Sequence, residues 1–340
     1  MVIENFSLKQ YNTFGIDVIA KYFSTFSSIE GFEELLESKK LITYNSSLIT
    51  VLGGGSNILF TKDVDGLVLK NDIKGIEQIS EDENYVYVKA GAGENWHQLV
   101  LYCISNNLAG MENLSLIPGN VGASPMQNIG AYGVELKDVF YQLEAFDLIE
   151  NRLVTFNKID CEFGYRESIF KTSFKNRFVI TTVTFRLNKT PQFNIKYGAI
   201  EQELELMGIK NLSIQAISQA VINIRKSKLP DPAVIGNAGS FFKNPVIKIS
   251  QFKLLQITFP AIVGYTINAE STKLAAGWLI EQCGFKGYRK GDAGCHEMQA
   301  LVLVNYGHAK GDDIVALSKL IIESVQIKFD VLLQTEVNIF

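Results

Sequence analysis

GGGSN at 53–57 and IPGNVGASPMQNIGAYG at 117–133 are the two stretches whose reading decides the fold. A loop dense in glycine lets backbone N–H groups come close to an anionic oxygen and aim at it. One such loop holds a phosphate; two from distant parts of the chain can grip a pyrophosphate from both sides, which points to a dinucleotide. A Rossmann domain would need G-x-G-x-x-G between a strand and a helix. Here GGGSN follows the apolar run Leu48 to Leu52. After it come Ile58, Leu59 and Phe60, a turn at Asp63 to Gly66, then Leu67, Val68 and Leu69, which is strand-and-turn patterning. Asp72 stands near the offset of a ribose-binding carboxylate, which alone decides nothing. GGGSN by itself also reads as an ordinary tight turn. The second loop weighs against that reading. Gly119, Gly122, Gly130 and Gly133 share it with two prolines, and long loops in compact domains are functional or disordered. Val121, Met126, Ile129 and Tyr132 argue against disorder.

Composition narrows the class. At 340 residues the chain predicts two or three domains, and 47% hydrophobic residues suffice for a sizeable core. Lys plus Arg number 32 and Asp plus Glu 36, a balance of −4 that carries no nucleic-acid footprint. Cys103, Cys161, Cys283 and Cys295 are scattered without a C-x-x-C pair, and there are 3 histidines. That argues against a disulfide framework and a metal site and fits reduced thiols in a cytoplasm. MVIENFSLKQ at the start lacks a signal-peptide core, and no apolar run is long enough to span a membrane.

Along the chain, periodicity predicts a helix over 29–39 with Ser28 as N-cap and Phe32, Leu35 and Leu36 on one face. Strands are expected at 48–52, 85–91, 139–149, 152–156, 178–187, 300–304 and 332–338. Helices are expected at 94–107, 214–227, 250–258, 272–283 and 312–329. The segment 190–200 reads as a loop leading into a further helix. Helices and strands alternate irregularly, so the fold class is α+β rather than a doubly wound sheet.

Several residues could carry chemistry, each with a plainer alternative. In GNAGSFFKNP (236–245), Ser240 lies between a Gly/Asn turn and two aromatics. It is a local turn serine or a hydroxyl beside a water-excluding wall; with neither G-x-S-x-G nor a neighbouring histidine, proton donation suits it better than nucleophilic attack. Arg166 in FGYRES (163–168) is a paired surface arginine or a bidentate carboxylate ligand. Arg225, Lys226 and Lys228 close an amphipathic helix, as dipole partners or as anion ligands. Glu336 sits in a final strand pattern, and His97, His296 and His308 read as surface or locally satisfied residues.

In order along the chain, IPGNVGASPMQNIGAYG, FGYRES, KLPDP, GNAGSFFKNP, KLAAGWLIEQCG (273–284) and QALVLVN (299–305) resemble bacterial UDP-N-acetylenolpyruvoylglucosamine reductases. The similarity extends from YNTFGI at 11–16 to TEV at 335–337. It implies a two-part FAD-binding fold of the vanillyl-alcohol-oxidase type, with subdomains over 1–70 and 71–226. It also implies a C-terminal α/β substrate-binding domain over 227–340, whose last strand returns to the active site. FAD would be bound non-covalently, with NADPH as co-substrate and UDP-N-acetylglucosamine enolpyruvate as substrate, in a cytoplasmic monomer of peptidoglycan precursor synthesis. The nucleotide loops would comprise Gly53, Gly54, Gly55, Ser56 and Asn57, and then Pro118, Gly119, Gly122, Ala123, Ser124, Gln127, Asn128, Gly130, Ala131, Tyr132 and Gly133.

The same resemblance assigns roles in the chemistry. Hydride adds to the terminal enolpyruvyl carbon and negative charge develops on the conjugated carboxylate, which cationic or hydrogen-bonding groups must stabilise. Arg166 and Glu336 would flank that carboxylate, the glutamate helping only if protonated or if it donates through a neighbour. Ser240 would protonate the remaining carbon. Tyr197, in the 190–200 segment that marks the long class of the family, would line the substrate and its diphosphate with Arg225, Lys228, Asn244, Lys273 and Gln299. Two rivals remain on residues alone: a sugar or lactone oxidase on the same fold, and a nucleotide-binding sensor without turnover. Both fit poorly with an intact serine, arginine and glutamate set.

Overall fold

The computed structural model describes residues 1–37, 49–197 and 199–340. The chain forms two compact units, one of residues 1–6, 20–55 and 64–226, the other of residues 7–19, 56–63 and 227–340. The expected helix end at Ser38–Lys39 and the strand start at Leu48 lie outside the described residues, as does Gly198 of the 190–200 segment.

In the first unit a four-stranded sheet runs in the order Ile3–Ser7, Ile19–Phe26, Val64–Asn71, Ile49–Leu52. Its last three strands pair in parallel. Ile29–Glu37 covers part of it, with the Ser28 hydroxyl accepting from Gly31 N–H at 3.0 Å as the N-cap, and Phe32 is buried among Phe26, Leu67, Leu69 and Phe146. The expected turn at Asp63 to Gly66 is instead the start of the strand Val64–Asn71. Val64 pairs with Ala20, and Asp65 and Gly66 fall in a register shift before the regular pairing that starts at Leu67.

A five-stranded antiparallel sheet follows, ordered Arg152–Asn157, Phe140–Asp147, Phe178–Asn188, Tyr85–Gly91, Ile76–Glu81. Val86, Val88 and Ala90 alternate into its core, as a half-buried strand requires. The helix Trp96–Ser105 packs there through Trp96, Leu99, Val100, Cys103 and Ile104, its large aliphatic side chains each worth about 1.5–3 kcal/mol of burial. It begins at Trp96 because the Asn95 side chain caps it, accepting from Gln98 N–H at 3.1 Å. Ile200–Leu206 and Ile214–Lys228 share a small cluster through Ile200, Leu204, Ile217, Val221 and Ile224.

The second unit holds a four-stranded antiparallel sheet, Gly236–Ser240, Val302–Asn305, Ala293–Cys295, Arg289–Lys290. The helix Gly311–Phe329 buries Ile314, Leu317, Ile321 and Val325 at helical spacing. Two expectations need correction here. Residues 272–283 are not one helix: Ser271–Leu274 is the central strand between Val246–Lys248 and Gly264–Thr266, and the helix is Ala276–Gln282. Neighbours on both sides claim the Thr272 and Lys273 backbone, which outweighs local helical pattern. Nor is 332–338 a continuous strand. It makes one bridge, Phe242 with Thr335, and then the short parallel strand Asn338–Ile339 against Ile58–Leu59.

Candidate active site

The two glycine loops meet inside the first unit. A Cβ on Gly54 would stand 2.9 Å from Gly119 Cα and 2.8 Å from Asn120 Oδ1. Only glycine at 54 lets the loops approach so closely. Gly55 and Gly119 adopt φ of +63° and +107°, conformations that favour glycine. Among the described residues the backbone N–H groups of Gly53, Gly54 and Gly119 donate to no protein acceptor. Unpaired donors converging from two loops suit a pyrophosphate. Gly122 has a different reason for being glycine. A Cβ there would lie 2.6 Å from Ala92 Cβ, so it lets the loop pack on the end of the strand Tyr85–Gly91 rather than opening it to a ligand.

The rest of the second loop is held by asparagines that sequence reasoning passed over or read differently. Asn120 Nδ2 donates to Gly93 O at 2.9 Å. Asn113 Nδ2 donates to Tyr132 O at 2.9 Å and to Asn194 O at 2.7 Å, and Asn194 Nδ2 to Gly133 O at 3.1 Å. These bonds tie the 190–200 segment to the glycine loop and bring Tyr197 beside Gly133, whose added Cβ would meet Tyr197 Cβ at 3.1 Å. Tyr197 keeps 40% of its surface exposed. Val121–Ala123 and Pro125–Gln127 are short 3-10 turns, Ser124 is buried with its hydroxyl on Val121 O, and Gly130–Ala131 pairs with Val134–Glu135.

Arg166 is half-buried, with φ of +55°. Its Nη2 donates to Gly130 O at 2.6 Å, and its guanidinium lies 5.5 Å from the centre of the Tyr165 ring. Arg225 Nε donates to Leu116 O at 3.2 Å. Burial pushes the Arg225 guanidinium below its ordinary value; repulsion from Arg166 adds to this and Tyr132 opposes it. Two arginines and the second glycine loop therefore face one another in this unit, a concentration of positive charge that an anion would relieve. Burial likewise raises the Tyr132 hydroxyl, keeping it neutral, with Arg225 opposing.

In the second unit Ser240 ends the strand Gly236–Ser240 rather than sitting in a turn. The ladder is irregular between Asn237 and Ser240, with Gly239 at φ +69°, so the serine leaves the regular pleat. Its hydroxyl makes no protein hydrogen bond among the described residues. Phe241 and Phe242, both buried, form the apolar wall beside it. Glu336 N–H donates to Phe241 O at 2.8 Å, so Glu336 and Ser240 occupy adjoining positions on neighbouring chain segments. Asn57 Nδ2 donates to Glu336 O at 3.3 Å, and the Asn57 carbonyl accepts from both the backbone and side-chain N–H of Asn338. Asn57, next to Ser56 at the start of the second unit's 56–63 segment, thus secures the glutamate segment.

The remaining expected residues surround the helix Ala276–Gln282 or stand apart from it. Asn244 Oδ1 accepts from Ala276 N–H at 2.9 Å. Gln299 Oε1 occupies the space a Cβ on Gly277 would need, at 2.8 Å. Lys273 is in the central strand of the small sheet, and Lys228 is the exposed last residue of Ile214–Lys228. The histidines are locally engaged: His97 Nδ1 accepts from Leu116 N–H and His296 Nδ1 from Met298 N–H. Cys103, Cys161 and Cys295 are buried and their thiols pushed up to about 12, which leaves them inert.

Residues 231–340 match the model of the UDP-N-acetylenolpyruvoylglucosamine reductase C-terminal domain, and residues 31–154 match an FAD binding domain. Over 99% of its length the chain is 52% identical to the UDP-N-acetylenolpyruvoylglucosamine reductase of Amoebophilus asiaticus, covering 98% of that protein. The enzymes of the same name from Flavobacterium johnsoniae and Pseudomonas putida are 48% and 46% identical, over 98% and 99% of this chain and 98% of each relative. The crystal structure of UDP-N-acetylenolpyruvylglucosamine reductase from Thermus caldophilus superposes with a TM-score of 0.68 at 23% identity, covering 100% of this chain and 98% of that one. That last likeness establishes the fold.

Proposed function

The chain belongs to the UDP-N-acetylenolpyruvoylglucosamine reductase family, and we propose that it reduces UDP-N-acetylglucosamine enolpyruvate to UDP-N-acetylmuramate with NADPH as hydride source. It is an FAD-binding oxidoreductase of peptidoglycan precursor synthesis. The unpaired N–H groups of Gly53, Gly54 and Gly119 fit the pyrophosphate of FAD, which the loops would hold through backbone contacts and without a covalent bond. When bound, FAD carries hydride from NADPH to the terminal enolpyruvyl carbon.

The chain's own residues handle charge and the proton. Arg166 would receive the substrate carboxylate, where negative charge grows as hydride arrives and a fixed cation is worth most. Glu336 would flank the same group. Ser240 would give its proton to the other enolpyruvyl carbon, with Phe241 and Phe242 shielding that transfer from water. Arg225, Lys228, Lys273, Asn244, Gln299 and Tyr197 would bind the diphosphate and the nucleotide. Free cysteines and the absence of any described helix long and apolar enough to cross a membrane are compatible with a cytoplasmic enzyme.

The observation that most supports this reading is the main-chain bond from Glu336 N–H to Phe241 O, which runs the segment of Glu336 alongside that of Ser240. The test is anaerobic. NADPH should bleach the flavin absorbance of the purified protein, and UDP-N-acetylglucosamine enolpyruvate should restore it. Flavin that the enolpyruvate leaves reduced would refute the assignment.

A further inference from the structure

Two three-residue segments of the first unit, 128–130 and 164–166, clasp each other. Asn128 Nδ2 donates to Gly164 O at 3.0 Å, and Arg166 Nη2 donates to Gly130 O at 2.6 Å. Each segment offers a side-chain donor at one end and a backbone acceptor at the other. Asn128 has no exposed surface, and its amide is fully used: Oδ1 accepts from Lys137 N–H at 3.0 Å and Nδ2 also reaches Glu135 Oε2 at 3.1 Å. Any contact it made with a cofactor would run through its backbone. Next to the clasp, the buried Ser168 hydroxyl donates to Met126 O at 2.7 Å.

The clasp is built at a cost. Asn128 and Arg166 adopt φ of +44° and +55°, left-handed conformations that non-glycine residues hold only where the surroundings fix them. A Cβ on Gly130 would stand 3.0 Å from Glu135 Cγ and Val134 O and 3.1 Å from Arg166 Nη1, so the space beside the clasp is tight. The like charge of Arg225 repels that of Arg166, which helps to push the Arg225 guanidinium below its ordinary value. A segment that needed only to fold would let Arg166 turn to solvent.

We propose that Asn128 is a positioning residue: through the clasp it holds the Arg166 guanidinium where the substrate carboxylate must meet it. This rests on the reductase reading, in which Arg166 receives that carboxylate. Asn128→Asp keeps the shape and the acceptor for Lys137 N–H but removes both Nδ2 donors, to Gly164 O and to Glu135 Oε2, and sets a second carboxylate against that of Glu135. Flavin reduction by NADPH, measured per bound FAD, should be affected far less than reoxidation. Flavin reoxidation by UDP-N-acetylglucosamine enolpyruvate should slow by about 10²-fold, the loss expected when a reacting group is misplaced by about 1 Å. Lowering the pH should restore part of that rate, because the protonated acid again donates to Gly164 and burial raises its titration range. In an Arg166→Ala background the same substitution should add less than about twofold.

Equal slowing of both half-reactions, or a full additional loss in the Arg166→Ala background, would overturn the proposal. Should Asn128→Asp not fold, Gly130→Ala presses on the clasp from its other end and must give the same selective loss; equal slowing there is equally fatal. If the parent enzyme itself is not reoxidised by the enolpyruvate, the reductase reading fails and takes this inference with it. If the parent is reoxidised and Asn128→Asp behaves like it, only the clasp assignment fails.

Discussion

Gly54→Ala tests the loop geometry most sharply, because its consequence is worked from two distances. The new methyl would lie 2.9 Å from Gly119 Cα and 2.8 Å from Asn120 Oδ1. Carbon atoms rest at about 3.5–4.0 Å, so the loops must part by about 0.6–1 Å. They cannot do so freely. Asn120 is bonded to Gly93 O at 2.9 Å, Trp96 N–H to Gly119 O at 3.0 Å, and Val121 N–H to Glu94 O at 2.8 Å. A displacement of that size costs at least one charge-assisted bond from a loop amide to phosphate, about 1.5–3 kcal/mol. FAD affinity should therefore fall by about 10- to 150-fold. Titrating apoprotein with FAD and following its fluorescence measures this directly. Gly53→Ala is the control, since its methyl would meet only Asn120 Cβ at 3.7 Å and Ala123 Cβ at 4.0 Å, both ordinary contacts. It should bind FAD within about threefold of the parent. Equal losses in the two variants, or none in Gly54→Ala, would refute loop-to-loop packing as the reason for glycine at 54.

Three further outcomes are expected. Ser240→Ala should leave flavin reduction by NADPH near normal while slowing reoxidation by the enolpyruvate by about 10²–10⁴-fold, read by stopped-flow absorbance; equal slowing of both would make Ser240 structural. Asp147 is 1% exposed and its carboxyl is held below the usual carboxylate range, first by the Arg177 guanidinium and then by the Ile149 and Glu150 amides. A lowered carboxyl stabilises the fold above the unfolded-state value near pH 4 and loses that contribution as pH falls through the folded-state value. Asp147→Asn should thus cost on the order of 2 kcal/mol in urea unfolding at pH 7, and the gap should close steadily below about pH 4; a gap unchanged by acid would contradict the pairing. Thr272→Val removes the buried Thr272 hydroxyl, which has no partner among the described residues, and should raise unfolding free energy by about 1 kcal/mol with unchanged turnover. A loss of stability would mean that the hydroxyl is satisfied after all.

Much of the fold is legible where periodicity is long and one-sided. The Ser28 cap, the Trp96 to Ile104 face and the Gly311–Phe329 helix are written locally, because each buries one face against a single neighbour. The misreadings fall where long-range pairing overrides local pattern. Val64 to Gly66 look like a turn, but Val64 already pairs with Ala20 at an irregular start of its strand; Thr272 and Lys273 look helical, but strands on each side claim them. No local signal announces that residues 7–19 and 56–63 pack with the C-terminal residues, since such contacts join positions hundreds of residues apart. The site divides in the same way. Glycine density exposes the two candidate nucleotide loops, and the ordered motifs single out Arg166, Ser240 and Glu336 as candidates. The asparagines at 113, 120, 128 and 194 hide their roles, because a side-chain amide bonding a distant carbonyl leaves no spacing to read. Gly122 is a related lesson: a glycine in a phosphate-type loop can be required by its own protein neighbour, here Ala92.

Turnover itself is the most direct test of the proposed conversion of UDP-N-acetylglucosamine enolpyruvate into UDP-N-acetylmuramate with NADPH. Purified protein carrying FAD should be mixed with both, following the fall in NADPH absorbance and the mass of the nucleotide sugar. NADPH should be lost only when the enolpyruvate is present, matched mole for mole by a product heavier by two hydrogens. NADPH loss that is indifferent to the enolpyruvate, or enolpyruvate recovered unchanged, would contradict the proposed conversion.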